Sequence, residues 1–123
     1  MNTQPRRPKF DLEDRTFCFA RNVRNLIEIL ASSRVTPDDK KQLVRSSGSV
    51  AANYLEANEG ISGKDFAMRI KICRKEARES HLWLRLIKEA ADPDSQTKID
   101  ALIDEAMQLV KIFNAIAYKV KIQ

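Results

Sequence analysis

Apolar residues recur at steps of three and four along almost the whole chain, which is the spacing of one face of an α-helix. The pattern is interrupted at three places: Ser32-Ser33, Ser62-Gly63 and Asp92-Pro93-Asp94-Ser95. These breaks predict four helices of about 22–28 residues, at roughly 11–32, 36–61, 63–91 and 94–121. Helices of similar length joined by short links are typical of an antiparallel up-down-up-down bundle. The sequence therefore predicts an all-α four-helix bundle.

Capping residues support these boundaries. Thr36 stands before a proline and two aspartates, an order that suits a helix start. Ser62 and Asp65 form a variant of the capping box, and Asp11 is placed to cap the first helix. Residues 1–9 contain three basic side chains and have nothing to pack, so we expect a flexible basic arm.

The third helix shows three parallel stripes. An apolar seam steps by four and three: Phe66, Ile70, Cys73, Ala77, Ser80, Leu84 and Ile87. One position later lies a basic stripe without an acid: Lys64, Lys71, Arg74, Arg78, His81, Arg85 and Lys88. One position earlier lies a mixed stripe: Arg69, Ile72, Glu76, Glu79, Trp83 and Leu86. A monomeric bundle needs only one apolar stripe per helix, so the extra apolar residues predict self-association.

The second helix offers a possible counterpart to the mixed stripe. Small and polar residues step by three and four beside its apolar face: Ser46, Ser49, Asn53, Glu56 and Gly60. Polar groups aligned at a close contact hydrogen-bond across it and fix its register. We therefore interpret this set as a structural network rather than a catalytic one.

The net charge of +5 is concentrated in two segments, because residues 1–10 carry +3 and residues 64–89 carry +4. The basic stripe is about 36 Å long, comparable to one turn of duplex. The arm and stripe predict binding to RNA or DNA through these cations: Arg6, Arg7, Lys9, Lys64, Lys71, Arg74, Arg78, Arg85 and Lys88. An ordinary solvated flank explains the same stripe equally well.

Motifs for catalysis are missing from the sequence. His81 is the single histidine, expected to be exposed, and no Ser, Cys or Asp stands at a helical spacing that would form a triad. A di-iron site needs Glu-x-x-His, which does not occur, and there is no P-loop, GxGxxG or HExxH. Cys18 and Cys73 are expected to be buried free thiols. We predict a non-enzymatic protein without cofactor or metal.

The chain has no apolar run near the roughly 20 residues that cross a bilayer. Its N-terminus is polar and basic with no apolar segment behind it, unlike a secretory signal. We therefore expect one soluble, cytoplasmic domain of 123 residues with no membrane association.

Several short motifs suggest a family. They are Phe10-Asp11-Leu12-Glu13, the run from Ser46 to Ala57, Phe66, Lys75-Glu76-Ala77-Arg78-Glu79-Ser80 and Trp83-Leu84. In order and spacing, from Phe10 to Lys121, the chain resembles the 23S ribosomal RNA intervening-sequence proteins, often called four-helix bundle proteins. The resemblance implies a bacterial protein, frequently encoded within a large-subunit ribosomal RNA gene, that assembles into a ring-like homopentamer. More weakly, the chain resembles the accessory variability proteins of diversity-generating retroelements, basic pentamers that bind nucleic acid and a reverse transcriptase.

The family-like positions are interpreted as structural, and the family has no catalytic motif. An oligomer contact or structural network is expected from Ser49, Asn53, Glu56, Ile72, Glu76, Glu79, Trp83 and Leu86. Because the basic stripe as a whole is not part of the family motif, nucleic-acid binding is predicted from charge. The alternative is a structural or protein-interaction scaffold, for example a partner of a reverse transcriptase or ribosomal component, whose basic flank only keeps it soluble.

Overall fold

A computed structural model describes the backbone of residues 8–31, 33–60 and 62–122, and the side chains of residues 12–31, 33–60 and 62–120. Over these residues the chain forms four α-helices and one 3-10 turn, with no strand. The helices are α1 (Pro8–Ile29), α2 (Pro37–Glu59), α3 (Gly63–Ala90) and α4 (Gln96–Ile122). The prediction of an all-α four-helix bundle is confirmed.

Side-chain caps determine where α2 and α3 begin. The Asp39 backbone N–H donates to Thr36 Oγ1 over 3.2 Å, and Pro37 fills the first turn. The Asp65 backbone N–H donates to Ser62 Oγ over 3.0 Å. Each cap satisfies a backbone donor that has no partner within its helix, which stabilises the helix by about 1 kcal/mol.

The start of α1 differs from the sequence pattern. Pro8 and Lys9 are helical, so they do not belong to the expected arm. Proline is favoured in a first turn because its missing N–H is not needed there, and this accounts for the earlier start. Residues 1–7, which include Arg6 and Arg7, lie outside the described residues.

Two helices end before the breaks in the apolar pattern. α1 ends at Ile29 because the carbonyl of Leu30 accepts from the Ser33 backbone at 3.1 Å and from Lys40 Nζ at 3.2 Å. α2 ends just before Gly60, whose φ of 65° lies in the left-handed region that glycine adopts without a Cβ clash.

Helix α3 packs against α2 on one flank and α4 on the other, while α1 packs mainly against α2 and less extensively against α4. The apolar seam of α3 is buried from Ile70 to Ile87, and Phe66 packs against the core from its edge. Phe19 and Phe113 are the largest fully buried side chains. Because the seam faces the core, each flank of α3 meets a different helix.

Candidate nucleic-acid interface

The mixed flank of α3 faces α2 of the same chain. Arg45 on α2 donates to Glu76 Oε1 over 3.2 Å and to Glu79 Oε1 over 3.0 Å. Glu76 is only 6% exposed, and its hydrogen bond with Arg45 raises the pKa of the guanidinium. The sequence left open whether these acids meet a neighbouring subunit; in this chain they bind an arginine of the adjacent helix.

Further polar contacts continue along this flank. Ser46 Oγ and Ser80 Oγ lie 2.7 Å apart and are buried. Arg69 Nη1 donates to Asn53 Oδ1 over 3.0 Å, and the amide of Asn53 donates to Ser49 Oγ over 3.0 Å. These contacts run along the boundary between the two helices. We call them the α2–α3 polar seam, formed by Arg45, Ser46, Ser49, Asn53, Arg69, Glu76, Glu79 and Ser80.

The other predicted network residues have different environments. Trp83 packs against the edge of the core, and its buried Nε1 finds no acceptor among the described residues. Ile72 is half-buried and Glu56 is exposed. Leu86 is 44% exposed on the outer side of α3. These residues therefore do not all belong to one network within the chain.

The basic flank of α3 faces α4. Arg74 Nη1 donates to Asn114 Oδ1 over 3.0 Å, and Lys88 Nζ lies 2.6 Å from Asp100 Oδ1. The stripe itself contains no acid, as the sequence indicated, but in the folded protein Asp100 of α4 pairs with its Lys88 end.

The charges of α4 are divided along its length. Its acids all lie in the first part of the helix: Asp100, Asp104 and Glu105. Beyond them the sequence contains only cations: Lys111, Lys119 and Lys121. Since Arg74 meets Asn114 and Lys88 meets Asp100, the half of the stripe around Arg74 faces the acid-free part of α4.

Two adjacent concavities begin at this half of the flank: one of about 430 Å³ along α3 alone, which Glu79 also lines, and one of about 470 Å³ between α3 and α4. Both are lined by Lys71 and Arg74. We call the surrounding surface the α3–α4 basic face, and define it by Lys71, Arg74, Lys75, Arg78, Asn114 and Tyr118. Lys71, Lys75 and Arg78 are exposed, Arg74 is half-buried, and Tyr118 is 68% exposed. Four cations thus occupy two turns of α3.

The sequence pattern did not predict three residues of the face: Lys75, Asn114 and Tyr118. Tyr118 lies outside the apolar seam of α4, which runs through Leu109 and Phe113, and this position indicated a surface residue. The remaining predicted cations lie elsewhere. Lys64 and Arg85 are exposed beyond the face, and Lys88 is paired with Asp100. Lys9 is helical, but its side chain lies outside the described part.

His81 adds no charge to the flank at neutral pH. It is half-buried rather than exposed as predicted, and burial, with a smaller effect from Arg85, lowers its pKa. Cys73 is buried as expected, donates to the Val50 carbonyl over 3.5 Å, and has a pKa raised to about 12 by burial. Cys18 is half-buried and free.

A separate concavity of about 560 Å³ lies between α1 and α4. Phe19, Leu26 and Leu102 contribute apolar walls, and the ion pair of Arg15 and Glu105, 2.8 Å long, lines it as well. Across the described residues, no group of three or more His, Cys, Asp or Glu side chains is arranged to hold a metal ion. None of the helices in that part of the chain has the length and apolarity to cross a membrane.

Comparison with known proteins identifies relatives. The family model described as 23S rRNA-intervening sequence protein matches residues 10–115. A crystal structure of a protein with unknown function from the S23 ribosomal protein family of Bacteroides thetaiotaomicron is 27% identical, with a TM-score of 0.75. That match covers 86% of this chain and 97% of the other. No curated protein matches. The family resemblance inferred from motif order and spacing is thereby confirmed.

Proposed function

The chain belongs to the 23S rRNA-intervening sequence protein family, and we propose that it is a non-enzymatic protein that binds the nucleic-acid backbone through its α3–α4 basic face. One observation carries this proposal. Four cations of α3 lie within two helical turns, and two of them, Lys71 and Arg74, line a concavity whose α4 wall contains no acid. Cations so placed keep their charge available to phosphates, whereas Lys88 is balanced by Asp100.

The energetics of phosphate binding suit such a surface. Each phosphate that a lysine or arginine neutralises releases counterions, so binding is tight at low salt and weakens steeply as salt rises. These contacts carry no base information, and binding should tolerate changes of sequence. Arg6, Arg7 and Lys9 stay a prediction from the sequence, and their replacement by glutamine tests that arm separately.

We further propose that the bundle is antiparallel and assembles into a ring-like homopentamer. Contacts from Glu13 to Asn58 and from Arg24 to Val44 support opposite directions for α1 and α2. Exposed large apolar side chains outside the face support self-association: Leu55, Met68 and Leu86. Five copies of the face would add weak contacts through multivalency. Native mass spectrometry should give five times the chain mass of 14.1 kDa.

The test is fluorescence anisotropy with labelled RNA and DNA oligonucleotides at about 50 mM salt, where phosphate contacts are strong. The variant Lys71→Glu/Arg78→Glu reverses two exposed cations of the face. Its matched control, Arg34→Glu/Lys41→Glu, reverses two exposed cations outside the face and changes the net charge equally. Both sites are on the surface, so both variants should fold.

We expect the face variant to lose at least about tenfold in affinity and one to two units of salt slope, since each lost phosphate contact removes about 0.7–0.9 of a unit. The control should stay within about twofold of the wild type. Equal losses in both variants would show that only net charge matters, and the face would be rejected. Absence of binding at about 50 mM salt would reject nucleic-acid binding altogether.

A protein-interaction scaffold is the second candidate, favoured by the concavity between α1 and α4. Its apolar walls and its polar rim are features of surfaces that accept another chain. Ala101→Arg would fill this concavity without touching α3. Under this alternative the variant abolishes co-elution with a purified partner, such as a reverse transcriptase or a ribosomal protein, and leaves nucleic-acid affinity unchanged.

A further inference from the structure

The α3–α4 basic face combines positive charge with an exposed aromatic ring. Tyr118 is the most exposed large apolar or aromatic side chain among the described residues, at 68%. It lines the concavity of about 470 Å³ together with Lys71, Arg74 and Asn114. A ring so far out of the core contributes little to packing. Its flat face is available to a planar ligand group beside two cations.

The dimensions of the face limit what it can bind. Lys71 and Arg78 are seven residues apart on one helix, which corresponds to about 10 Å. A turn of duplex extends over about 34 Å, and a strand carries one phosphate per about 3.4 Å of axis. The face therefore spans about a third of a duplex turn. It is too short to follow a duplex backbone through a full turn.

Charge around the face also favours a short polyanion. Glu79 lines the concavity of about 430 Å³, but its Oε1 accepts from Arg45 on the α2 side at 3.0 Å. Arg45 thus partly neutralises the charge of the Glu79 carboxylate. The neighbouring concavity of about 470 Å³ has an α4 wall that includes Asn114 and Tyr118, and no acid lines it. An anionic strand meets cations along α3 and an uncharged wall along α4.

A single strand has both of the groups that such a surface accepts. Its phosphates pair with cations, and its unpaired bases expose faces that stack on aromatic rings. In a duplex the bases are stacked on one another, so that a surface tyrosine meets only the backbone. The concavities, of about 430 and 470 Å³, are open at the surface of the bundle. Each has room for part of a nucleotide.

We infer that the α3–α4 basic face binds single-stranded nucleic acid in preference to duplex, with a base stacked on Tyr118 and the flanking phosphates on Lys71, Arg74 and Arg78. This inference rests on the proposed function and deepens it. It assigns the aromatic ring a binding role that charge alone does not require. The inference makes affinity depend on bases as well as on phosphates.

The experiment uses the full chain and anisotropy with four labelled 12-nucleotide probes: single-stranded RNA, single-stranded DNA, the DNA duplex and an abasic DNA strand. Tyr118→Ala removes the ring, and Tyr118→Phe restores a stacking surface. Phe17→Ala is the matched control, because Phe17 is an aromatic that is 61% exposed on α1. Light scattering verifies that all variants keep the oligomeric state of the wild type.

We expect single strands to bind more tightly than the duplex, and Tyr118→Ala to weaken them at least about fivefold. Tyr118→Phe and Phe17→Ala should stay within about twofold of the wild type. The abasic strand and the duplex should respond to Tyr118→Ala by less than about twofold. RNA and DNA strands that respond alike indicate that the site reads bases and phosphates, not the 2′-hydroxyl.

Equal effects of Tyr118→Ala on single strand and duplex, or no effect on either, would overturn the inference. A loss with Phe17→Ala as large as that with Tyr118→Ala would do the same. In these cases the charge-reversal variant still separates the two ideas: if Lys71→Glu/Arg78→Glu abolishes binding, the proposed function stands without stacking. Absence of binding to all four probes rejects both.

Discussion

Replacement of Arg45 tests the α2–α3 polar seam most directly. Arg45 donates to both Glu76 and Glu79, at 3.2 and 3.0 Å, and Glu76 is the charged side chain of α3 that packing buries most. Arg45→Met keeps most of the aliphatic stem and removes the guanidinium. The variant leaves a buried carboxylate without its cation, which is the costly way to break an ion pair.

The expected cost follows from the exposure of the two partners. Loss of one partner of a fully buried pair costs about 3–5 kcal/mol, and hydrogen bonds to charged groups contribute about 1.5–3 kcal/mol. The Arg45 side chain is 50% exposed, however, so water partly screens the loss. We therefore expect Arg45→Met to lower the free energy of unfolding by about 1–2 kcal/mol, and Glu76→Gln by about 1 kcal/mol.

The assay is urea unfolding at one fixed protein concentration, followed by circular dichroism and by the fluorescence of Trp83. A fixed concentration is needed because self-association would contribute to the measured stability. The two single variants and the double variant complete a thermodynamic cycle, and we expect a coupling of about 1 kcal/mol. Lys88→Met and Asp100→Asn form the control cycle.

The control pair is short, at 2.6 Å, but its side chains are 41% and 53% exposed. Its coupling should be below about 0.5 kcal/mol, as for other surface pairs. If Arg45→Met costs less than that, or if the Arg45 and Glu76 cycle couples no more strongly than the control, burial of Glu76 does not determine the energetics. Either result would refute a stabilising role of the α2–α3 polar seam.

Three further predictions follow from single sites. Gly48→Ala should stabilise the protein by up to about 1 kcal/mol, seen as a higher melting temperature, because the added Cβ meets only the flexible end of Arg24 at 3.0 Å. Ser80→Ala should cost about 1 kcal/mol in urea unfolding, and adding Ser46→Ala should cost less than a second loss of that size. His81 has a lowered pKa, so its contribution to stability is present above about pH 6.5 and lost below it; His81→Asn should show less loss at pH 5.5 than the wild type.

The fold was predictable because its signals are local. A capping serine or threonine acts on a donor three residues away, as Thr36 and Ser62 do. The steps of four and three identify the buried side of each helix without reference to the others. The helix ends were predicted less well, since they depend on contacts with later residues. The carbonyl of Leu30, for example, is taken up partly by Lys40 from the next helix.

The site was predictable only in part. Periodicity places Arg74 and Glu76 on opposite flanks of α3, but it does not say which helix each flank meets. Which helix lies beside each flank depends on how α2 and α4 pack around α3. The sequence of α3 alone does not contain that information. The division of charge along α4 was visible in the sequence. The contacts of Arg74 with Asn114 and of Lys88 with Asp100 show which part of the basic stripe lies beside the acids of α4.

The α2–α3 polar seam connects the fold to the proposed function through the register of α3. An apolar seam that repeats every seven residues tolerates a slip of two turns, but polar pairs do not. A slip would place Cys73 or Ile87 opposite Ser46 in place of Ser80. The buried hydroxyl of Ser46 would then lose its hydrogen bond with the hydroxyl of Ser80. The slip would also move Arg78 by about 10 Å along α4, in one direction toward the acidic half. The polar contacts on one flank thus hold the cations of the other flank against the acid-free part of α4.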